Sequence, residues 1–313
     1  MPTHTDFSIY ECCVSDLEVL ILKFLTFIHN NISRLGVLEN NDVVDVAAAV
    51  PDFPASLLEA LTHGKDIHYA GAAALRSGVQ RIPLQGLDLA PVIPRPGKII
   101  CLGLNYYDHA KEGGREKPDY PWLFCRCASS LIAHGEPAIL PNVSSQLDYE
   151  AELAVVIGSK VPRHVTHSRA LGYVCGYSCF NDISVRDFQK KTPQWTIGKN
   201  FDGTGAFGPH LITSDELPPG AAGLRISGRL NGSVMQQACS DDMIFGVADT
   251  IALLSECLTL EPGDVIVMGT PAGIGAARKP PIWLKAGDTF EVDIEQVGVL
   301  VNLVTTECQL PTG

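Results

Sequence analysis

A chain of 313 residues that is 46% hydrophobic and 19% charged has the apolar material for a large core and reads as globular rather than disordered. Lys+Arg 23 against Asp+Glu 35 leaves a net charge of −12, which repels nucleic acid and anionic membrane surfaces unless a local basic cluster intervenes, and the sequence has none. Ten cysteines sit mostly within apolar runs, with no Cys-x-x-Cys pair and no zinc-finger spacing, so they read as reduced core residues of a cytosol-like compartment.

The first apolar stretch, Val19 to Ile28, is short for a membrane span and contains Lys23, so a buried helix or strand is expected there. Ahead of it stand Asp6, Glu11, Asp16 and Glu18 with no Lys or Arg, unlike a secretory or mitochondrial leader, and the expected location is the cytoplasm. Residues 1–90 are expected to form a small N-terminal α+β domain, with strands over 34–38 and 42–46 and helices over 55–61 and 70–76. The proline-rich segment Leu89-Ala-Pro-Val-Ile-Pro-Arg-Pro-Gly97 marks its boundary. Beyond it, β-branched runs alternate with Gly and Pro turns: 99–102, 153–157, 173–178, 224–230, 264–268, 289–294 and 299–304. Only the stretches near 185–190 and 243–257 read as helices, which predicts a β-rich α+β fold, sandwich or barrel-like, rather than a doubly wound sheet.

Several constellations in this second unit carry chemistry. Asn105-Tyr-Tyr-Asp-His109-Ala-Lys-Glu112 sets His109 and Glu112 three residues apart on a short helix, a general-base pair in outline, although the same spacing is common on solvated helices. The charged, Gly/Pro-rich stretch 113–121 after it has the composition of a loop that closes over a site. In Leu147-Asp-Tyr-Glu-Ala-Glu152, strand periodicity puts Glu150 and Glu152 on one face. Alone, that pattern also fits a solvated edge strand. Asp182, after a second strand-like segment, supplies a third carboxylate, and three oxygen donors suit Mg²⁺, Mn²⁺ or Ca²⁺. Lys199 stands between an apolar approach and the glycine-rich turn Gly203-Thr-Gly-Ala-Phe-Gly208, where it could bind an anion or stabilise an enolate. That turn formally matches a dinucleotide fingerprint but lacks the strand before and the helix after, so it is discounted. The loop Gly269-Thr-Pro-Ala-Gly-Ile-Gly275 offers backbone N–H groups and a hydroxyl adequate to hold a carboxylate, or is a plain turn. The sequence has no Gly-x-Ser-x-Gly elbow, which disfavours a serine hydrolase.

Taken in order, Gly103 to Glu112, Asp148 to Glu152, Asn181 to Gln189, Gly198-Lys199, Phe207 to Pro209 and Gly269 to Gly273 resemble the fumarylacetoacetate hydrolase family. Arg278 to Asp288 is similar to its domain-containing-protein-2 branch. The resemblance implies a catalytic domain over 96–308 with a mixed β-roll, homodimers, and Mg²⁺ or Mn²⁺ as cofactor. It further implies metal ligation by Glu150, Glu152 and Asp182, a lid dyad of His109 and Glu112, and contributions from Lys199, Arg186, Gln189, Thr270 and Tyr106. One departure is Phe124-Cys-Arg126-Cys127 in place of the family's Phe-x-Lys-Pro, which keeps the charge and loses the proline. The implied activity is hydrolysis of a C–C bond in a small β-dicarbonyl 2-oxo acid, of acylpyruvate or fumarylpyruvate type, through a metal-bound enolate. Its alternatives are oxaloacetate decarboxylation or keto–enol tautomerisation, isomerisation or hydration of a dienoic 2-oxo diacid, and a catalytically silent relative.

Overall fold

The computed structural model describes residues 21–114 and 116–307. A long mixed sheet forms its centre. The strand Ala151–Ile157 lies between Val174–Asp182 and Val265–Val267, antiparallel to both, and Val265–Val267 runs parallel to Ile99–Gly103, which pairs with Trp122–Cys125. On the other side Val174–Asp182 pairs with Gly205–Thr213. There the strand Lys23–His29 joins, with Lys23 opposite Ile212 and Phe24 opposite Leu211, and carries Ile32–Glu39 and Asp42–Asp45 beyond it. The N-terminal strands therefore extend the sheet that contains Glu152 and Asp182.

Every residue of Ala151–Ile157 is buried, because both faces of its strand are covered. Leu153, Val155 and Ile157 pack toward a five-stranded sheet that includes Arg225–Leu230, Thr289–Ile294 and Gly298–Thr306, through Ile226, Phe290, Val292 and Leu300. Ala154 and Val156 face the other way, into a core with Phe180, Phe207, Leu211 and the N-terminal Phe24, Leu35, Leu61 and Ala70. A strand covered on both sides reads as a continuous apolar run, which is what Leu153 to Ile157 is. Glu150 and Glu152 fall on the alternation of Ala154 and Val156, so they open toward the side of the N-terminal core.

The helices Leu57–Thr62 and Ile67–Arg76 overlap the expected segments, the second starting three residues early, and each has a side-chain N-cap, Ser56 accepting from the Glu59 N–H and Asp66 from the Tyr69 N–H. Among the strands that were not expected are Gly205–Thr213, obscured by its Gly and Pro, and Ser233–Cys239, which has Gln236 and Gln237 at its centre. The sheets stay open, and no closed barrel forms among the described residues. The cysteines also divide: Cys101, Cys175 and Cys179 are buried as expected, whereas Cys125, Cys127 and Cys257 are exposed, since the first two lie at and just past the end of an edge strand. Among the described residues, no helix is long and apolar enough to cross a membrane. The acids before residue 21 lie outside the described residues.

Candidate active site

The Glu-x-Glu pair gains its third carboxylate through sheet register. Ala151 is opposite Asn181, so Glu150 meets Asp182, and the Asp182 N–H donates to the Glu150 carbonyl at 3.0 Å. Carboxylate oxygens of Glu150, Glu152 and Asp182 come within 4.8 Å of one another, and all three side chains are buried.

Three cations grip this cluster. Lys199, 2% exposed, donates from Nζ to Glu150 Oε2 at 2.5 Å and to Asp182 Oδ2 at 2.6 Å. Arg186 donates from Nη2 to Glu150 Oε1 at 2.6 Å, from Nε to Asp148 Oδ2 at 2.8 Å and from Nη1 to Gln189 Oε1 at 3.0 Å. Arg126 donates to Asp182 Oδ1 and, at 2.9 Å, to Thr204 Oγ1. The replacement of the family's lysine thus keeps a cation on the outer oxygen of Asp182, with further donors left to brace it. The lost proline matters too: the Cys127 N–H, which proline would lack, donates to Asn200 Oδ1 at 2.5 Å, next to Lys199.

Lys199 reaches the acids from the one-turn helix Thr196–Lys199, which packs tightly on the helix Arg186–Gln189. A Cβ on Gly198 would lie 2.3 Å from the Gln189 backbone nitrogen, so only glycine permits that approach. Burial by itself lowers the Lys199 pKa, but Asp182 and Glu150 outweigh it and raise the pKa above its ordinary value, so the group is an ammonium. Burial pushes Glu150 up, yet Arg186 and Lys199 hold it well below the usual carboxylate range. No cation among the described residues pairs directly with Glu152, and burial, then Asp182 and Glu150, push it well above that range against the weaker pull of Lys199. Its carboxylate accepts only the Gly269 N–H, at 2.6 Å, among the described residues.

With Asp148 included, four buried acids face three cations, and the uncompensated charge falls at Glu152. A hard divalent cation fits that arrangement: the donor set is all carboxylate, the oxygens converge, and one buried acid lacks a counter-charge.

The cluster forms one wall of a cavity of about 140 Å³ that Glu150, Glu152, Arg186, Gln189, Lys199, Thr270 and His109 all line. That is smaller than the cavities that hold drug-sized ligands and suits a small acid. His109 is 8% exposed, and its Nδ1 lies 3.5 Å from Glu112 Oε1, an ion-pair distance without a hydrogen bond. The helix Tyr107–Glu112 that carries both is pinned by Asn105, whose amide donates to the Phe245 and Met268 carbonyls at 3.0 and 2.7 Å.

Two expected contributors are used differently. Tyr106 does not line this cavity but a neighbouring cleft with Asp242 and Pro271, and its buried hydroxyl has no partner among the described residues. The Gly269–Gly275 loop does hold carboxylates, but they are the chain's own: Glu152 on the Gly269 N–H, Glu112 on that of Gly273 at 2.8 Å, and Asp148 on that of Gly275 at 2.7 Å. Thr270, which does line the cavity, has its hydroxyl engaged by Ala151 and Gln236 at 3.0 and 2.8 Å.

Sequence reasoning gave no role to Asp148, which anchors Arg186. The period of two that linked Glu150 to Glu152 extends back to it, so a signal was present. Gln236, which ties the Thr270 loop to the Ala151 strand, had none, because its partners are distant in sequence.

Comparison with known proteins fits this geometry. Residues 98–305 match the C-terminal domain family of fumarylacetoacetate (FAA) hydrolase. A relative, the mitochondrial oxaloacetate tautomerase Fahd2a of Rattus norvegicus, is 37% identical over 263 residues, covering 84% of this chain and 83% of its own. Among solved structures, the fumarylacetoacetate hydrolase of psychrophilic Exiguobacterium antarcticum superposes with a TM-score of 0.79 at 34% identity over 91% of this chain and 100% of its own. The maleylpyruvate hydrolase of Sphingobium sp. SYK-6, in complex with manganese(II) and pyruvate, gives 0.74 at 28% identity over 91% of this chain and 99% of its own. A Glu-x-Glu strand in register with Asp182, a small acid-sized cavity and matches over most of the chain agree: this protein belongs to the fumarylacetoacetate hydrolase family, on its domain-containing-protein-2 branch.

Proposed function

We propose that the chain is a divalent-metal-dependent enzyme that interconverts the keto and enol forms of a small 2-oxo acid of the oxaloacetate type. The observation that carries this reading is one cavity lined by Glu150 and Glu152, which converge with the buried Asp182, by the ammonium of Lys199 and by His109, whose Nδ1 has no hydrogen-bond partner among the described residues. The oxaloacetate tautomerase name of the rat relative supports the choice among the family's reactions. A Mg²⁺ or Mn²⁺ ion on Glu150, Glu152 and Asp182 would supply Lewis acidity that polarises the keto oxygen of the acid. Lys199, held cationic, offsets negative charge as it develops on that oxygen. His109 moves the proton: its imidazole accepts the one lost from the carbon next to the keto group and returns it to the keto oxygen to complete the enol, while Glu112 steadies the charge on the imidazolium in between. Arg186 and Gln189 orient the acid's own carboxylate.

Hydrolysis of an acylpyruvate C–C bond is the second reading, favoured by the His109–Glu112 pair, which could equally activate water, and by the likeness to a maleylpyruvate hydrolase. The two separate in one assay. Ultraviolet loss of the oxaloacetate enol band, sensitive to chelator and without release of CO₂, supports tautomerisation. Chelator-sensitive cleavage of acetylpyruvate or fumarylpyruvate to pyruvate, with oxaloacetate untouched, replaces it.

The wider assignment rests on the same reading: residues 96–308 carry the chemistry, residues 1–90 are a small N-terminal domain, and the assembly is a homodimer, which light scattering would read directly. A cytoplasmic location remains the expectation from sequence, whereas the rat relative is mitochondrial by name, and fractionation of cells that express the full chain decides between them.

A further inference from the structure

Over Phe124-Cys125-Arg126-Cys127, strand alternation turns two sulfurs outward and one cation inward: Phe124 and Arg126 are buried, whereas Cys125 and Cys127 are exposed. Cys125 ends the strand Trp122–Cys125, and Cys127 continues it with extended dihedrals, φ −87° and ψ 144°. Both thiols therefore leave one face, two residues apart. Their proximity is felt at Cys125, whose thiol is pushed above its ordinary value by partial burial and then by Cys127.

The segment between them has no slack. Arg126 reaches inward to Asp182, Thr204 and Ser130, and a Cβ on Gly205 would lie 3.0 Å from its Nε. Its N–H donates to the Ile99 carbonyl at 3.0 Å. The Asn200 side chain clips the same segment: it accepts the Cys127 N–H at 2.5 Å and donates to the Cys125 carbonyl at 3.1 Å. It also donates to the Thr196 carbonyl at 2.7 Å, so both cysteines are tied to the helix that ends in Lys199. Lys199 Nζ in turn lies 4.9 Å from the ring centroid of Phe124.

Cα atoms two residues apart on an extended strand are about 6.5 Å apart. A disulfide tolerates Cα atoms at roughly that separation only at its outer limit, and it needs Cβ atoms about 3.8 Å apart, closer than neighbours on one strand face stand. The two sulfurs can therefore join only if the backbone folds at Arg126. That fold draws the guanidinium away from Asp182 and the Cys127 N–H away from Asn200.

We propose that Cys125 and Cys127 are a dithiol modification site: a low-molecular-weight disulfide such as oxidised glutathione closes them into a disulfide that pulls Arg126 off Asp182 and loosens the carboxylate cluster. Because the Cys125 thiol holds its proton more firmly, Cys127 attacks first, forms a mixed disulfide and expels one small thiol. The Cys125 sulfur then displaces the second small thiol. The protein gives up two electrons and two protons, and the small disulfide takes them up as two thiols. A bond strained in this way reopens easily, so the pair stays reduced in a reducing compartment and closes when the small-thiol pool is oxidised. The proposal goes beyond the assigned function, and only its metal readout rests on that reading.

The test treats the reduced full chain with oxidised glutathione. Trypsin cuts the denatured protein after Arg126, so the two flanking peptides should stay joined after oxidation and separate with dithiothreitol. Closure should weaken Mn²⁺ binding about tenfold or more by calorimetry and lower the Tm of the metal-free protein by several degrees, both reversed by dithiothreitol. Cys127→Ser, which keeps the backbone N–H to Asn200, should match the reduced protein with or without oxidant. Peptides that never join, a bond that changes neither Tm nor Mn²⁺ affinity, or equal losses in Cys127→Ser would overturn the site. The two ideas fail separately. No Mn²⁺ binding by the reduced protein, with a Cys127-dependent fall in Tm, removes the metal reading and keeps the dithiol site, whereas Mn²⁺ binding and oxaloacetate turnover with unjoined peptides do the reverse.

Discussion

The two walls of the cavity at the carboxylates are held in opposite ways. The carboxylate wall is set by sheet register and locked by charge-assisted bonds of 2.5–2.8 Å from Lys199 and Arg186, all buried. The facing wall is a six-residue helix whose His109 Nδ1 has no hydrogen bond among the described residues and whose Glu112 accepts the Gly273 N–H across the cleft. Charges buried in a low-dielectric interior must be fixed by partners, or they shift their pKa and neutralise. A group that moves protons works best when its partners leave it free to change charge. On the proposed function, positioning falls to the sheet and proton traffic to the helix.

The most direct way to break this comparison is at the sheet. Asp182→Asn should remove one metal oxygen and the charge that holds Lys199 and Arg126, and kcat/KM on oxaloacetate should fall by about 10³-fold or more, together with Mn²⁺ binding measured by calorimetry. Retention of full metal affinity would remove Asp182 from the ligand set. On the helix, His109→Ala is expected to lower kcat by roughly 10²- to 10⁴-fold while Mn²⁺ affinity stays near that of the unaltered protein. Loss of both together would show that the two walls are one unit.

Arg126 sharpens the comparison, because it touches Asp182 from behind. Arg126→Ala should weaken Mn²⁺ binding by about 10- to 100-fold, and Arg126→Lys, which restores the family's residue, should recover most of it. If lysine fares no better than alanine, the forked contacts to Thr204 and Ser130, rather than the charge, position Asp182.

The smallest expected effect is on stability, and its sign follows from Glu152. Its folded pKa lies above its unfolded one, so between the two values the native state binds more protons. Metal-free protein therefore loses stability as pH rises through that window, and a cation that compensates Glu152 cancels the loss. The rise in Tm on adding Mn²⁺ should accordingly be larger by a few degrees at pH 8 than at pH 5. A metal effect that does not grow with pH would deny Glu152 its place as a ligand.

Much of this site was legible before the fold was known. Period-two spacing singled out Glu150 and Glu152, a three-residue spacing singled out His109 and Glu112, and the resemblance joined them to Asp182 and Lys199. Such patterns survive in sequence because strand and helix geometry repeat locally. The strands Gly205–Thr213 and Ser233–Cys239 were not legible, because their glycine, proline and glutamine residues take on strand structure only from neighbours that pair with them.

What the sequence determined by itself was the inventory: a large apolar core, the acids in step on one strand, and the family to which their order belongs. Tertiary structure alone decided which cation meets which acid, that the Gly269–Gly275 loop is occupied by the chain's own carboxylates, and that Trp122 and Trp195 stack. The physical reason is distance along the chain: Arg126 and Asp182, or Gly269 and Glu152, are brought together by strand register and loop packing, and no short-range periodicity encodes either.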